Sequence, residues 1–403
     1  MSLLRPGSHR VAALVDDAAV AEAMLAVEAA WSRTLGQRGA GRADPTPSDL
    51  LAESENAGNP VVPLVRALRA TVDDPAAAAL IHRGLTSQDV LDSALMLLAA
   101  RVLDRVRDDL AATAGALAGH ARRHRDSVMA GRTLTQHAVP ITFGLKAAQW
   151  LTGVLDALDA VAATRAALPA QCGGAAGTLS LLARTVPDPF ATAAVFAAEL
   201  GLADPGLPWH TRRTPVTRLG DTLVTVTDAL GVIAAGVALL ARPEFGELEE
   251  GGPEGRGGSS TMPHKHNPVL SVLIRSAAAQ APLLAAQLHL AAAQAVDERP
   301  DGAWHSEWPA LQALLLVTAT AASQAAELTR DLRVHPDVMA RRAHAAAADL
   351  LAERGDPQDA DVDGYLGVAG ALVDRALARH AATLDLRRPP MRSRTGEGAD
   401  DDR

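Results

Sequence analysis

An all-α fold is what this chain of 403 residues predicts, and three features carry the prediction. Hydrophobic residues make up 48% of it but aromatics only 2%, so the apolar mass is mostly alanine, leucine and valine. Alanine and leucine are the strongest helix formers, and small side chains let helices approach closely. The apolar positions recur with helical spacing almost throughout, with no strand–helix alternation and no fixed-period repeat.

The elements follow in order. Asp17 is a plausible N-cap for a first helix with Val20, Met24, Val27 and Trp31 on one face, stopped by Gly36 and Gly39. Residues 38–60, rich in Gly, Pro, Asp and Asn, form a first break. Pro140 suits the first turn of a helix on which Leu151, Val154, Leu155 and Leu158 repeat one face. From Leu223 to Leu240 the chain is apolar nearly all round, as in a helix inside a bundle. Its opening LVTVT has strand composition, but the length favours helix. A second break, residues 244–263, holds six glycines between Gly246 and Gly258. Another long helix follows Pro268 to about Val296. Residues 353–362 are polar, and the tail from Arg387 has the composition of a disordered end.

Composition also bounds the function. The length suggests two or three domains and a core large enough to need no staple. The lone cysteine, Cys172, excludes an internal disulfide and fits a reducing, cytoplasmic setting. No signal peptide is visible before Asp16-Asp17. The longest apolar stretch, Leu230 to Ala241, is short of the ~20 residues that span a bilayer. A net charge of −9 argues against nucleic acid as a partner while leaving room for a local anion site. Only two lysines occur, Lys146 and Lys265, and coding bias accounts for the scarcity in general.

Three constellations could carry chemistry. The first runs from Gly258 to Pro268 (GSSTMPHKHNP). As glycine, serine and acid between helices it reads as a linker, and Asn267-Pro268 as a helix start. A linker does not explain a lysine six residues after Ser259, whereas a serine among free amides beside a cation can hold or develop negative charge. The second is HRGLTSQDV, His82 to Val90, where Thr86 and Asp89 have capping-box spacing and the exposed amides of a helix start would also bind a carboxylate. In the third, GRTLTQHAVP from Gly131 to Pro140, His137 precedes the expected helix and is either structural or an acid–base group. Gln171 to Thr178 reads as a tight loop. No HExxH, paired CxxC, Walker loop or dinucleotide fingerprint is present, and the scattered histidines do not make a metal site.

GSSTMPHKHNP resembles the signature loop of the fumarase/aspartase superfamily, and HRGLTSQDV and GRT…PITFG resemble its other two blocks, in the superfamily's order. Together they cover about residues 1–335. Within the superfamily, TSQDVLDSA, QCGGAAGTL, PWHTRR, GAWHSEWPAL (Gly302 to Leu311) and Tyr365-Leu366-Gly367 resemble bacterial 3-carboxy-cis,cis-muconate cycloisomerases. The resemblance implies a three-domain helical fold: an N-terminal domain at 1–103, a central long-helix bundle at 104–332 carrying the loop 244–268, and a shortened C-terminal domain at 333–403. It also implies a cytoplasmic homotetramer with each active site built from three subunits, a small anionic polycarboxylate substrate, and no cofactor, nucleic acid or membrane partner. By position it makes Ser259 the base, with Lys265 and Asn267 supporting loop and substrate. Thr86, Ser87 and Arg213 would hold carboxylates, and His82, Arg132 and Gln136 would line the pocket. His137 falls where adenylosuccinate lyases carry a general acid and cycloisomerases commonly carry glutamine. Two departures stand out: Arg212-Arg213-Thr214 replaces a commoner Gln-Arg-Asp run, and the C-terminal domain is short between Asp337 and Tyr365.

The motifs rank cycloisomerisation of 3-carboxy-cis,cis-muconate to its lactone, in protocatechuate (β-ketoadipate) catabolism, first. The runner-up is a β-elimination lyase releasing fumarate from a substituted succinate such as adenylosuccinate or nitrosuccinate; His137 favours it and the WHSEW block disfavours it. A third reading is an inactive structural homologue.

Overall fold

The computed structural model describes residues 3–36, 47–354 and 361–385. Gly39, residues 38–46 of the first break, residues 355–360 of the last and the tail from Arg387 lie outside the described residues, while Pro47–Ala57, inside the expected first break, is helical. The molecule is 65% helical. Its helices are α1 (Asp17–Thr34), α2 (Pro47–Ala57), α3 (Val61–Ala70), α4 (Pro75–Ala78), α5 (Ser87–Arg123), α6 (Phe143–Ala167), α7 (Pro189–Glu199), α8 (Thr214–Leu240), α9 (Val269–Ala292), α10 (Gly302–Asp331), α11 (Pro336–Ala345), α12 (Ala347–Leu350) and α13 (Ala369–Asp385). The strands are β1 (Val128–Thr133), β2 (Gln136–Thr142), β3 (Leu248–Glu249) and β4 (Arg333–Val334), in two antiparallel pairs.

Two compact units divide the chain. One holds Met1–Thr113 and Asp156–His335, the other Ala114–Leu155 and Pro336–Arg403, so the division falls inside α5 and inside α6.

In the first unit α8, α9 and α10 form a bundle. Small residues set its tightness: a Cβ on Gly231 would come within 2.8 Å of the Ala278 side chain, and one on Gly220 within 3.0 Å of Leu288. Leu223, Val226, Leu230, Ile233 and Val237 of α8 are all buried. By length and composition α8 and α9 are each apolar enough to cross a membrane, although neither has an unbroken apolar run of that length. Here each lays a face on the other and on α10. The opposite faces expose Val232 on α8 and Val272, Leu283 and Leu290 on α9.

Local chemistry fixes two helix starts, one of them a residue away from the expected cap and the other directly after Pro268 as expected. The cap of α1 is Asp16 rather than Asp17, because Asp16 Oδ1 accepts from Ala19 N–H at 3.0 Å. Helix α9 starts at Val269, and its first free amides are taken by Glu250, whose carboxylate accepts from Leu270 N–H (2.8 Å), Ser271 N–H (3.0 Å) and Ser271 Oγ (2.9 Å).

The second unit holds an element that helical periodicity does not predict. Residues 128–142 form a hairpin, with Thr133 opposite Gln136 and a two-residue turn at Leu134-Thr135. Both turn residues have positive φ (48° and 73°), the primed geometry that matches strand twist. The usual Asn-Gly signal is missing, so the turn was illegible. Pro140 therefore sits in β2, not in a helix, and α6 begins at Phe143. Gly131 makes the bulge possible, since a Cβ there would stand 2.4 Å from the Val139 carbonyl oxygen. Strand β1 packs on α11, and β2 on α12.

Candidate active site

The Thr86 region is held from below. Asp89 is fully buried and its carboxylate receives four donors. Oδ2 accepts from the N–H of Thr86 and of Gly174 at 2.9 Å each. Oδ1 accepts from Gly173 N–H at 2.9 Å and lies 2.8 Å from His210 Nε2. The carboxylate half of the capping box is therefore present, and the same carboxylate that closes the start of α5 ties it to the 173–174 loop and to His210. Gly173 must be glycine, because a Cβ would meet His210 Cε1 at 2.7 Å. Above this anchor Ser87 is half-buried and opens α5, where a helix start favours an anion. Thr86 is buried to 9% exposure. His82, at φ 63°, places Nδ1 2.6 Å from Glu28 Oε1, and the neighbouring Arg83 carbonyl accepts from Trp31 Nε1 at 2.9 Å.

Arg213 corrects an expectation. Its side chain is 1% exposed and its guanidinium is spent inside the protein. Nη1 and Nη2 donate to Asp92 at 2.7 and 3.0 Å, while Nε and Nη2 donate to Glu307 at 3.0 and 2.6 Å. Trp304 Nε1 donates to Asp92 Oδ1 at 3.0 Å, Gln171 Nε2 to Asp92 Oδ2 at 3.2 Å, and the Trp209 ring lies 4.8 Å from the Arg213 guanidinium carbon. A substrate carboxylate would have to displace two buried ones, so Arg213 acts as scaffold. Burial pushes the Glu307 carboxyl up, and Arg213, shared with Asp92, does not fully offset it. The sequence did carry a signal. Asp89, Asp92 and Ser93 have i, i+3, i+4 spacing, which puts them on one face of a helix whose neighbours Val90, Leu91 and Ala94 are apolar.

Ser259 lies on a loop closed at its base. Asn267 donates both N–H and Nδ2 to the Gly257 carbonyl at 2.8 Å, and Gly258 bridges to His266. Gly257, at φ 72°, has no room for a side chain: a Cβ would stand 2.2 Å from the Asn267 carbonyl oxygen. Asn267 thus clasps the loop. At the tip, Ser259 Oγ accepts from Met262 N–H at 3.2 Å and Thr261 N–H at 3.4 Å. Two amides thus face one hydroxyl oxygen, an arrangement that would favour negative charge there. Lys265 is exposed.

The hairpin tip in the other unit carries the remaining candidates. Gln136 is exposed and donates Nε2 to Thr135 Oγ1 at 3.1 Å. His137, exposed on β2 rather than before a helix, places Nδ1 3.1 Å from Asp349 Oδ2. Arg132 Nη1 reaches the Ala130 carbonyl at 3.3 Å.

Other chemistry finds little support. Among the described residues no group of three or more His, Cys, Asp or Glu side chains is placed to hold a metal. Burial, with Asp89 and Asp204, pushes the Cys172 thiol far above the ordinary range, which makes it inert as a nucleophile.

Known proteins match this arrangement. A sequence family described as Lyase covers residues 52–283. Nitrosuccinate lyase of Streptomyces davaonensis is 46% identical over 374 residues, 88% of this chain and 78% of that protein. The 3-carboxy-cis,cis-muconate cycloisomerase of Bradyrhizobium diazoefficiens is 38% identical over 370 residues, 87% of this chain and 81% of that one. The crystal structure of 3-carboxy-cis,cis-muconate lactonizing enzyme from Pseudomonas putida superimposes with a TM-score of 0.82 at 30% identity, covering 94% of this chain and 98% of that one. With its signature loop, its Thr86 block and its helical bundle in hand, the chain belongs to the lyase family of the fumarase/aspartase superfamily.

Proposed function

We propose that the chain is a β-elimination lyase acting on a small succinate bearing an anionic leaving group, nitrosuccinate in the first place. The observation that carries this reading is the 46% identity to nitrosuccinate lyase across 88% of the chain. The motif that ranked cycloisomerisation first also loses weight. Glu307 and Trp304 of the WHSEW block are buried on Arg213 and Asp92, so they shape the scaffold rather than read a leaving group.

In this mechanism Ser259 Oγ, as alkoxide, removes a proton from the carbon next to one carboxylate. The carbon–hydrogen electron pair becomes the new double bond, the carbon–nitrogen bond breaks, and nitrite departs with its electron pair, leaving fumarate. Charge that builds on the carboxylate during proton removal is met by cations and N–H groups, Lys265 and the Ser87 end of α5 among them. Nitrite is a weak base and leaves without a proton, so His137 serves to place the substrate rather than to protonate the leaving group. A homotetramer supplies the complete site, each site drawing on several copies. The exposed Val232, Val272, Leu283 and Leu290 are the apolar surface such an assembly buries. The three-part division at 103 and 332 is kept as the division of labour within that assembly.

Cycloisomerisation is the second reading, favoured by the TM-score of 0.82 to the lactonizing enzyme. An ultraviolet assay of purified protein on nitrosuccinate and 3-carboxy-cis,cis-muconate in parallel separates the two. Fumarate and nitrite appearing in equal amounts is the expected result; turnover of carboxymuconate alone overturns the proposal. Light scattering at micromolar concentration tests the assembly, and a monomer would sink the shared site.

A further inference from the structure

Glu327 of α10 holds two guanidiniums that come from distant parts of the first unit. Its Oε2 accepts from Arg10 Nη2 at 2.6 Å, and its Oε1 accepts from Arg256 Nη2. Arg10 and Arg256 are the N-terminal segment's and the signature loop's contributions, and Arg256 stands three residues before Ser259. The Arg256 and Glu327 side chains are each 16% exposed, too enclosed for an ordinary surface pair. Neighbouring groups are arranged around the contact. Arg10 Nη1 reaches Ser323 Oγ at 3.4 Å, which Arg105 Nη2 also approaches at 3.3 Å. Gly252, at φ 142°, leaves space for the Arg256 guanidinium to fold back, since a Cβ there would stand 2.5 Å from Nη1. Burial raises the Glu327 carboxyl, but the hydrogen bonds from Arg256 and Arg10 outweigh it and hold the group below its usual range, hence ionised.

The other ties of the loop are Glu250 on the start of α9, Asn267 on Gly257, and the bridge between Gly258 and His266. These close the two legs of the loop on each other and seat its entry on α9. None of them joins residues 253–258 to α10, and a base displaced by about 1 Å can lose on the order of 10²-fold in rate.

We propose that Glu327 is a positioning residue for the Ser259 loop: through Arg256 it locks the loop's entry segment onto α10, and through Arg10 it makes the N-terminal segment part of the same mounting. The inference rests on the reading of Ser259 as base. It adds a residue in no signature block, contributed by the far part of α10.

The test is a cycle of Glu327→Gln, Arg256→Gln and the double variant, in the full chain. Two readouts are taken. One is steady-state kinetics on whichever substrate the wild type turns over. The other is the rate of trypsin cleavage after Lys265, which reports loop mobility without needing activity. Each single variant should lose about 10- to 100-fold in kcat with KM little changed, and the double variant should lose no more than either single. Cleavage after Lys265 should accelerate in all three. Multiplicative losses in the double variant, an effect on KM alone, or unchanged kcat and cleavage would overturn the proposal. If the wild type turns over neither substrate, the functional reading fails while the cleavage readout still decides whether Glu327 holds the loop. Should Glu327→Gln fail to fold, Arg256→Gln, with its side chain on the loop, carries the same comparison alone. Arg10→Gln should loosen the loop less than Arg256→Gln, because it releases the mounting and not the loop itself.

Discussion

The anchor beneath Thr86 and the loop bearing Ser259 solve the same problem, fixing a polar group in space, by opposite means. Around Asp89 and Arg213 every charge is buried and every partner is another side chain or amide of the same core. Around Ser259 the fastenings are short, lie at the loop's base, and leave residues 260–266 exposed. The first arrangement draws its precision from the stability of the whole fold. The second leaves the tip in contact with solvent rather than with the core. The comparison teaches that residues expected to meet the same substrate need not share a task. Arg213 belongs to the first regime and Lys265 to the second, although both were expected to meet the substrate.

The comparison breaks most visibly at Arg213. Arg213→Ala strands Asp92 and Glu307 inside the core, so the chain should lose about 3–5 kcal/mol and unfold at markedly lower denaturant, read by circular dichroism. A small shift would mean the cluster is wetter than its burial indicates. Ser259→Ala should do the reverse: an unchanged denaturation midpoint and turnover lowered about 10²–10⁴-fold. Full activity on the true substrate would remove Ser259 as the base. Asp89→Asn comes next. The amide turns an NH2 toward groups that are themselves donors, which should cost about 1–3 kcal/mol and weaken substrate binding together with stability. Retained stability with intact KM would separate Asp89 from the Thr86 end of α5.

The smallest effect is a matter of sign. The Glu307 carboxyl is raised on folding, so it binds its proton more tightly in the folded chain. Its contribution is greatest below the unfolded value and declines as pH rises through the folded one. Glu307→Gln should therefore be far milder than Arg213→Ala, and the wild type should lose ground to it as pH rises from the acid side. A pair of pH-dependent melting series checks this. A gap moving the other way would show the carboxyl to be held down by Arg213.

What was legible in the sequence divides along physical lines. The helices were legible because burial imposes a period, so Leu223 to Leu240 could be read as a bundle helix and is found within α8. The hairpin at 128–142 was not, because its turn is made by Leu134 and Thr135, residues that carry no turn signal and are held in place by the surrounding structure. At the site, the blocks around Ser259, Thr86 and His137 stood out by composition. Which side chains face inward did not: the buried pairing of Arg213 with Glu307 spans 94 positions, and the Glu327 contact to Arg10 spans 317. Charge pairs of that separation leave no local pattern to read.

The four donors on Asp89 also set how this protein can vary. Glutamate would reach past the amides of residues 86, 173 and 174, asparagine would bring donors to donors, and serine or alanine would leave those amides with nothing to bind. Each one-residue departure fails for its own reason, so a saturation library at position 89 should return aspartate almost alone when sorted for folded protein. Residues 260–266, sorted in the same way, should return a broad range and narrow only under selection for turnover. Lineages that change substrate therefore have the loop to explore and the anchor to inherit.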